Sequence, residues 1–317
     1  FENGAVSLSS LESKVVSSQL SNGIKVLILP RHGAPVFSAQ LWVKVGGVDE
    51  VLGATGAAHM LEHMAFKGTT TIGTKDYQKE KTLLDELETL ESSQNPDINR
   101  RAEVLKSLKD LWKPNEFSKI LQRDGAVRLN AATSKDYTFY QVSLPTSSLS
   151  LWAKLEADRL INPVFREFYS ERDVVIEERR MRVENSPSGT LYEKLIATAF
   201  EGHPYRHPLI GYMKDLKKLP LESVREIHRK YYQPSNIVIV LVGDLEADST
   251  IDVLERHFGA MKADEGFRAP SMLEENNTIT KIERTFEVEF PAQPQVMLAF
   301  RKPSFPHKDD AVFTLLH

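Results

Sequence analysis

The stretch His59-Met60-Leu61-Glu62-His63 constrains this chain more than any other. Residues four apart lie one turn apart on the same face of a helix, so the imidazoles of His59 and His63 can converge on one metal ion. Glu62 borders that face, close enough to reach a metal-bound water. Two neutral nitrogen ligands and a carboxylate base are what a zinc hydrolase needs. The bland alternative is a surface helix carrying the three side chains by accident. The flanks oppose it: Gly53-Ala54-Thr55-Gly56-Ala57-Ala58 allows close packing, and Met60, Leu61, Met64 and Phe66 make the helix apolar on several sides. A buried helix that still carries His, Glu and His must satisfy those polar groups.

The rest of the composition excludes more than it assigns. With 317 residues, 41% hydrophobic and 26% charged, the chain has room for two ordinary soluble domains. A net charge of −4 gives no reason to expect a nucleic-acid partner. No apolar run approaches the length of a membrane span. The absence of Cys rules out disulfides and thiolate metal sites. The first residue is Phe1, not Met, which reads as a processed or trimmed start that hides any targeting peptide.

In chain order, residues 1–18 read as a polar lead-in. Asn22-Gly23 predicts a hairpin turn before the strand Ile24–Leu29, and the alternation of Phe37, Ala39, Leu41, Val43 and Val45 predicts a second strand. Residues 75–122 read as an inserted helical hairpin, with Leu83, Leu84, Leu87 and Leu90 on one helix, Val104, Leu105, Leu108, Leu111 and Trp112 on the other, and Asn95-Pro96-Asp97 as the break. Residues 127–133 and 137–144 read as a strand pair. Helices are expected over 149–160, 168–183, 191–200, 221–231 and 251–258, with Ser186-Pro187-Ser188-Gly189 closing the second of them and a wholly apolar strand over 236–242. Residues 263–280 suit a linker. Beyond it, strands are expected over 285–290 and 295–300 and the start of a helix over 309–316. The expected organisation is therefore an α+β zinc-binding catalytic domain over 1–262 and the start of a second α+β domain over 281–317.

A catalytic zinc has three protein ligands and one open position. The charged segment 168–183 is the obvious donor of the third. Glu171 and Glu178 are two turns apart and share a face, whereas Glu177 points about 100° away from Glu178. On this reasoning alone Glu177 and Glu178 stay open.

The inverted order H-x-x-E-H resembles the inverzincins. Together with Met64-Ala65-Phe66-Lys67-Gly68-Thr69, Asn130-Ala131-Ala132-Thr133-Ser134, Glu171-Arg172-Asp173-Val174-Val175-Ile176-Glu177-Glu178, His203-Pro204-Tyr205, Tyr232-Gln233-Pro234-Ser235-Asn236 and Val242-Gly243-Asp244, it resembles the pitrilysin-type metallopeptidases. These include insulin-degrading enzyme, the mitochondrial processing peptidase subunits and bacterial zinc proteases. The resemblance runs in order through nearly all of residues 20–300.

What the resemblance implies is specific. The fold would be α+β, an antiparallel-rich sheet with helices on one side, duplicated as two similar domains. His59, His63 and Glu178 would bind Zn2+, Glu62 would be the general base, and Glu171 would support a ligand His. Asn130 and Ala131 would lie on an edge strand that receives a peptide substrate by main-chain pairing. The alternative for Asn130 is a strand-end residue capping the turn. The long separation of His63 and Glu178 is accounted for by the inserted hairpin. The intact motif matches catalytic members, not the degenerate α-type processing subunit. The family closes as a clamshell whose second half supplies an Arg and a Tyr to the substrate, at positions beyond this chain. The implied function is a zinc-dependent endopeptidase acting with a second homologous half or subunit. The alternative is a non-catalytic or partner-dependent subunit. Bacterial periplasm or export is the implied compartment, with the mitochondrial matrix as alternative.

Overall fold

The computed structural model describes residues 12–264, 266–267, 283–300, 302–303, 307–310 and 312–313. Six strands form one sheet: β1 (Val16–Gln19), β2 (Lys25–Pro30), β3 (Val36–Val43), β4 (Val127–Thr133), β5 (Thr138–Pro145) and β6 (Ile237–Gly243). Their order is β1-β2-β6-β3-β5-β4. Only β2 and β6 run parallel; the remaining pairs are antiparallel. This is the antiparallel-rich α+β sheet that the sequence implies. The strand β6, apolar throughout, returns from far along the chain to fill the centre, between β2 and β3.

Strand periodicity decides which face is covered. Phe37, Ala39, Leu41 and Val43 of β3, with Tyr140, Val142 and Leu144 of β5 and Ile237, Ile239 and Leu241 of β6, are buried. The alternate residues Gln40, Trp42, Phe139 and Gln141 are only half-buried. The buried face packs on helices α1 (Ala57–Met64), α5 (Leu149–Ile161), α6 (Phe168–Arg179), α9 (Leu221–Tyr231) and α10 (Ala247–Phe258) in one continuous core. Trp152 meets Phe37 edge-to-face and Phe258 at a tilt within it, at ring separations of 6.0 and 6.3 Å.

Within residues 75–122, α2 (Tyr77–Ser92) and α3 (Ile98–Leu111) pack against each other as a helical hairpin. Asp76 and Asp97 cap the two helices, accepting from Lys79 N at 3.2 Å and Arg100 N at 2.9 Å. The pair has its own small core of Leu87, Val104, Leu108 and Trp112. A third helix, α4 (Glu116–Arg123), follows within the same span and sends Phe117 and Leu121 into the main core.

Two boundaries differ from expectation. Ser186-Pro187 opens a helix: Ser186 accepts from Gly189 N at 3.1 Å and Pro187 is the first residue of α7 (Pro187–Ala199), where its missing N–H costs nothing. The preceding helix ends earlier, with Arg180–Glu184 as a π-helical turn. A short α8 (Met213–Leu216) lies between α7 and α9. The strands expected over 285–290 and 295–300 are not formed; residues 283–300 pair with no strand among the described residues, and alternation alone makes no ladder without a neighbour. Most of the linker 263–280 lies outside the described residues, as do most of residues 1–18. Of 309–316, Asp310, Val312 and Phe313 are helical. No helix among the described residues is long and apolar enough to cross a membrane.

Candidate metal centre

Helix α1 buries Ala57, Ala58, Met60, Leu61 and Met64 and leaves His59, Glu62 and His63 half-buried on its other side. Glu50 anchors its start, accepting from Gly56 N and Ala58 N, both at 2.8 Å. Helix α6 packs across it and delivers Glu178. The two Nε2 atoms of His59 and His63 stand 3.3 Å apart, and Glu178 Oε2 lies 3.7 Å from the first and 3.6 Å from the second. Among the described residues these three form the group whose donor atoms converge as metal ligands do. Glu177 does not join them: it is exposed and pairs with Arg180. Of the two residues left open by periodicity, Glu178 is the one whose carboxylate faces both imidazoles.

A tetrahedral zinc with bonds of about 2.0–2.1 Å sets its ligand atoms roughly 3.3–3.4 Å apart, so the triangle fits such an ion. The donor chemistry agrees. Burial, with the neighbouring charges of His63 and Arg182, pushes His59 down to about 3, so its ring is neutral. For His63, burial acts downward, but the hydrogen bond to Glu171 and the charges of Glu171, Glu178 and Glu62 together raise it. The ring is thus drawn toward a proton by three carboxylates, a demand that a divalent cation would meet instead.

Glu171, one face along α6, holds the other side of His63: its Oε1 is 2.9 Å from His63 Nδ1. Its Oε2 is 2.6 Å from Lys67 Nζ. Burial favours the neutral acid, yet the bonds from His63 and Lys67 keep this carboxyl below its ordinary range. The ionised Glu171 favours a proton on Nδ1, which would leave Nε2 as the nitrogen available to a metal. Glu62 points the other way. Burial raises its pKa, against the hydrogen bond that Thr133 donates to it at 2.6 Å. Arg182 takes the second oxygen of Glu178 at 2.9 Å.

Among the described residues, β4 is the last strand of the sheet and pairs only with β5. Asn130 and Ala131 sit within it, opposite Gln141 and Tyr140, so Asn130 is not a turn cap. A register shift between Val127 and Asn130, with Arg128 at φ +57°, bends its first half. Residues 130–133 are the regular part, and they lead to Glu62. Lys67, Thr133 and Arg182 are contacts that sequence reasoning missed.

The model of the insulinase family (peptidase family M16) matches residues 25–102 and 104–212, and that of the peptidase M16 inactive domain matches 218–317. Zinc protease PqqE of Helicobacter pylori is 30% identical over 307 residues, 95% of this chain and 59% of that protein. A probable mitochondrial-processing peptidase subunit beta of Arabidopsis thaliana is 24% identical, over 98% of this chain and 50% of its own. Among solved structures, a protease from Helicobacter pylori superposes with a TM-score of 0.66 at 32% identity, covering 81% of this chain and 53% of that one. The first half of the periplasmic protease PqqL from Escherichia coli shares the fold, with a TM-score of 0.59 at 22% identity over 81% of this chain and 48% of its own. The chain spans about half the length of the curated relatives it matches. It belongs to the insulinase family, peptidase family M16.

Proposed function

We propose that this chain is the zinc-binding catalytic half of an endopeptidase. One observation carries the reading: two imidazole nitrogens and a carboxylate oxygen converge at 3.3–3.7 Å, with a second carboxylate, Glu62, free of that triangle and beside an open strand edge. His59, His63 and Glu178 would hold the ion. Zinc, when bound, supplies an acidified water and a Lewis acid for the scissile carbonyl.

The remaining work falls to the chain's own side chains. Glu62 accepts the proton of the attacking water and returns it to the leaving amine. Thr133 holds Glu62 in place while the peptide pairs with β4 through main-chain hydrogen bonds at Asn130 and Ala131. Glu171 keeps the ring of His63 oriented. Recognition is then mainly of backbone, with side-chain preference set around the strand.

The span of the chain, about half of its relatives, supports a second homologous half or subunit as the partner that closes over the peptide. The periplasmic relative from Escherichia coli makes an exported location the compartment we favour, tested by cell fractionation. The functional test is cleavage of a quenched fluorescent peptide by the purified chain, alone and with a homologous second half, with and without a zinc chelator. Chelator-sensitive cleavage supports the reading. Stoichiometric zinc without cleavage in either setting would favour the non-catalytic alternative.

A further inference from the structure

The turn after the motif helix, residues 66–74, is gripped by one buried guanidinium. Arg166 is 1% exposed and donates to the carbonyls of Lys67 at 2.6 Å, Ile72 at 2.9 Å and Thr69 at 2.8 Å. Its two remaining N–H groups go to the carboxylate of Glu80, at 2.7 and 3.0 Å, so all five donors of the fork are engaged. Gly68 and Gly73 make this possible. Both have positive φ, +96° and +89°, and a Cβ on either would come within 2.7 Å of Arg166 Nη1.

The anion in this arrangement comes from the inserted hairpin. Glu80 lies on α2, is 0% exposed, and also accepts from the indole N–H of Trp112, the residue that caps α3, at 2.8 Å. Gly73 and Thr74 pair with Lys113 and Trp112 through the backbone. A buried ion pair is weak support for stability, because apolar side chains of the same volume can do as well. They could not take hold of three carbonyls in the turn. The residue whose carbonyl is held, Lys67, is the one whose ammonium reaches Glu171, and Glu171 is bonded to His63.

We propose that the inserted hairpin buttresses the candidate metal centre. Through Glu80 and Arg166 it fixes the turn that aims Lys67 at Glu171, and so fixes the ring of His63. Lys67 is a positioning residue in this scheme, and the inference rests on the reading of His63 as a zinc ligand.

The test uses the full 317-residue chain and two readouts: zinc affinity by competition with a chromophoric chelator, and the His63 ring tautomer in metal-free protein by long-range 1H–15N correlation. Lys67→Met should weaken zinc binding by about 10–100-fold and release the Nδ1–H tautomer, while Lys67→Arg restores most of both. Trp112→Phe, which removes the indole donor to Glu80 together with part of the hairpin's small core, should move both readouts in the same direction by less. Wild-type affinity and tautomer in Lys67→Met would overturn the role of Lys67. A response to Lys67→Met but none to Trp112→Phe overturns the role of the hairpin. If wild type binds no zinc but the tautomer still follows both variants, the buttress stands and the zinc reading fails.

Discussion

The hydroxyl of Thr133 donates a 2.6 Å hydrogen bond to Oε2 of Glu62. The last residue of the edge strand thus holds the carboxylate of the motif helix, so a peptide paired with β4 would be registered against the base by one covalent strand. Thr133→Val keeps the shape and removes the donor. A hydrogen bond to a charged group is worth about 1.5–3 kcal/mol, which corresponds to a fall in kcat/KM of roughly 10–100-fold. Zinc content should not change. Peptide kinetics with metal analysis on the same sample check both halves, and undiminished kcat/KM would remove Thr133 from the site.

Glu62→Gln keeps the volume of the side chain and the bond from Thr133 but cannot take a proton. Turnover should fall by about 10²–10⁴-fold with the metal retained, since Glu62 is not among the three converging donors. Retained peptidase activity would refute the base assignment.

Glu177 and Glu178 offer a paired test on adjacent residues. Glu178 faces both imidazoles and Glu177 faces solvent beside Arg180. Glu178→Gln should lose zinc on gel filtration and Glu177→Gln should keep it at the wild-type ratio. Equal loss from both, measured by elemental analysis, would mean that the triangle is not what holds the metal.

Most of the sheet and its helices were legible in the sequence because one face of each strand is buried and the period-2 signal is clean, as in Phe37 to Val43. The pairing order was not. Nothing local in the apolar run 237–243 says that it enters between β2 and β3. The strands expected over 285–290 and 295–300 show the converse, since their alternation is real but no neighbour among the described residues completes it. At the site, His59, Glu62 and His63 were readable from spacing on one helix. Choosing Glu178 needed the family likeness, because spacing cannot say which side of a second helix meets the first. The bonds of Lys67 and Thr133 were hidden for the same reason: each joins elements far apart in sequence.

His228 gives the fold a pH dependence separable from the metal centre. Its ring is stacked on Tyr232 with Nε2 3.0 Å from the carbonyl of Leu160. Burial, aided by the charge of Arg229 and opposed by the Leu160 carbonyl, pushes it down to about 4. An unfolded histidine titrates near 6.5. Between these values the unfolded chain binds a proton that the folded chain refuses, so stability is complete above about pH 6.5 and declines as the pH falls toward 4. The expected loss from this group is about 2 kcal/mol by pH 5 and approaches ~3 kcal/mol below pH 4. His59 would add to any loss in metal-free protein, so wild type and His228→Gln are compared in the same chelator, where His59 contributes equally to both. Gln keeps a donor for Leu160 but does not titrate. Urea unfolding at pH 7 and pH 5 should show the wild type losing more stability than the variant by about 2 kcal/mol, and equal losses in the two proteins would show that His228 is not held neutral by the fold.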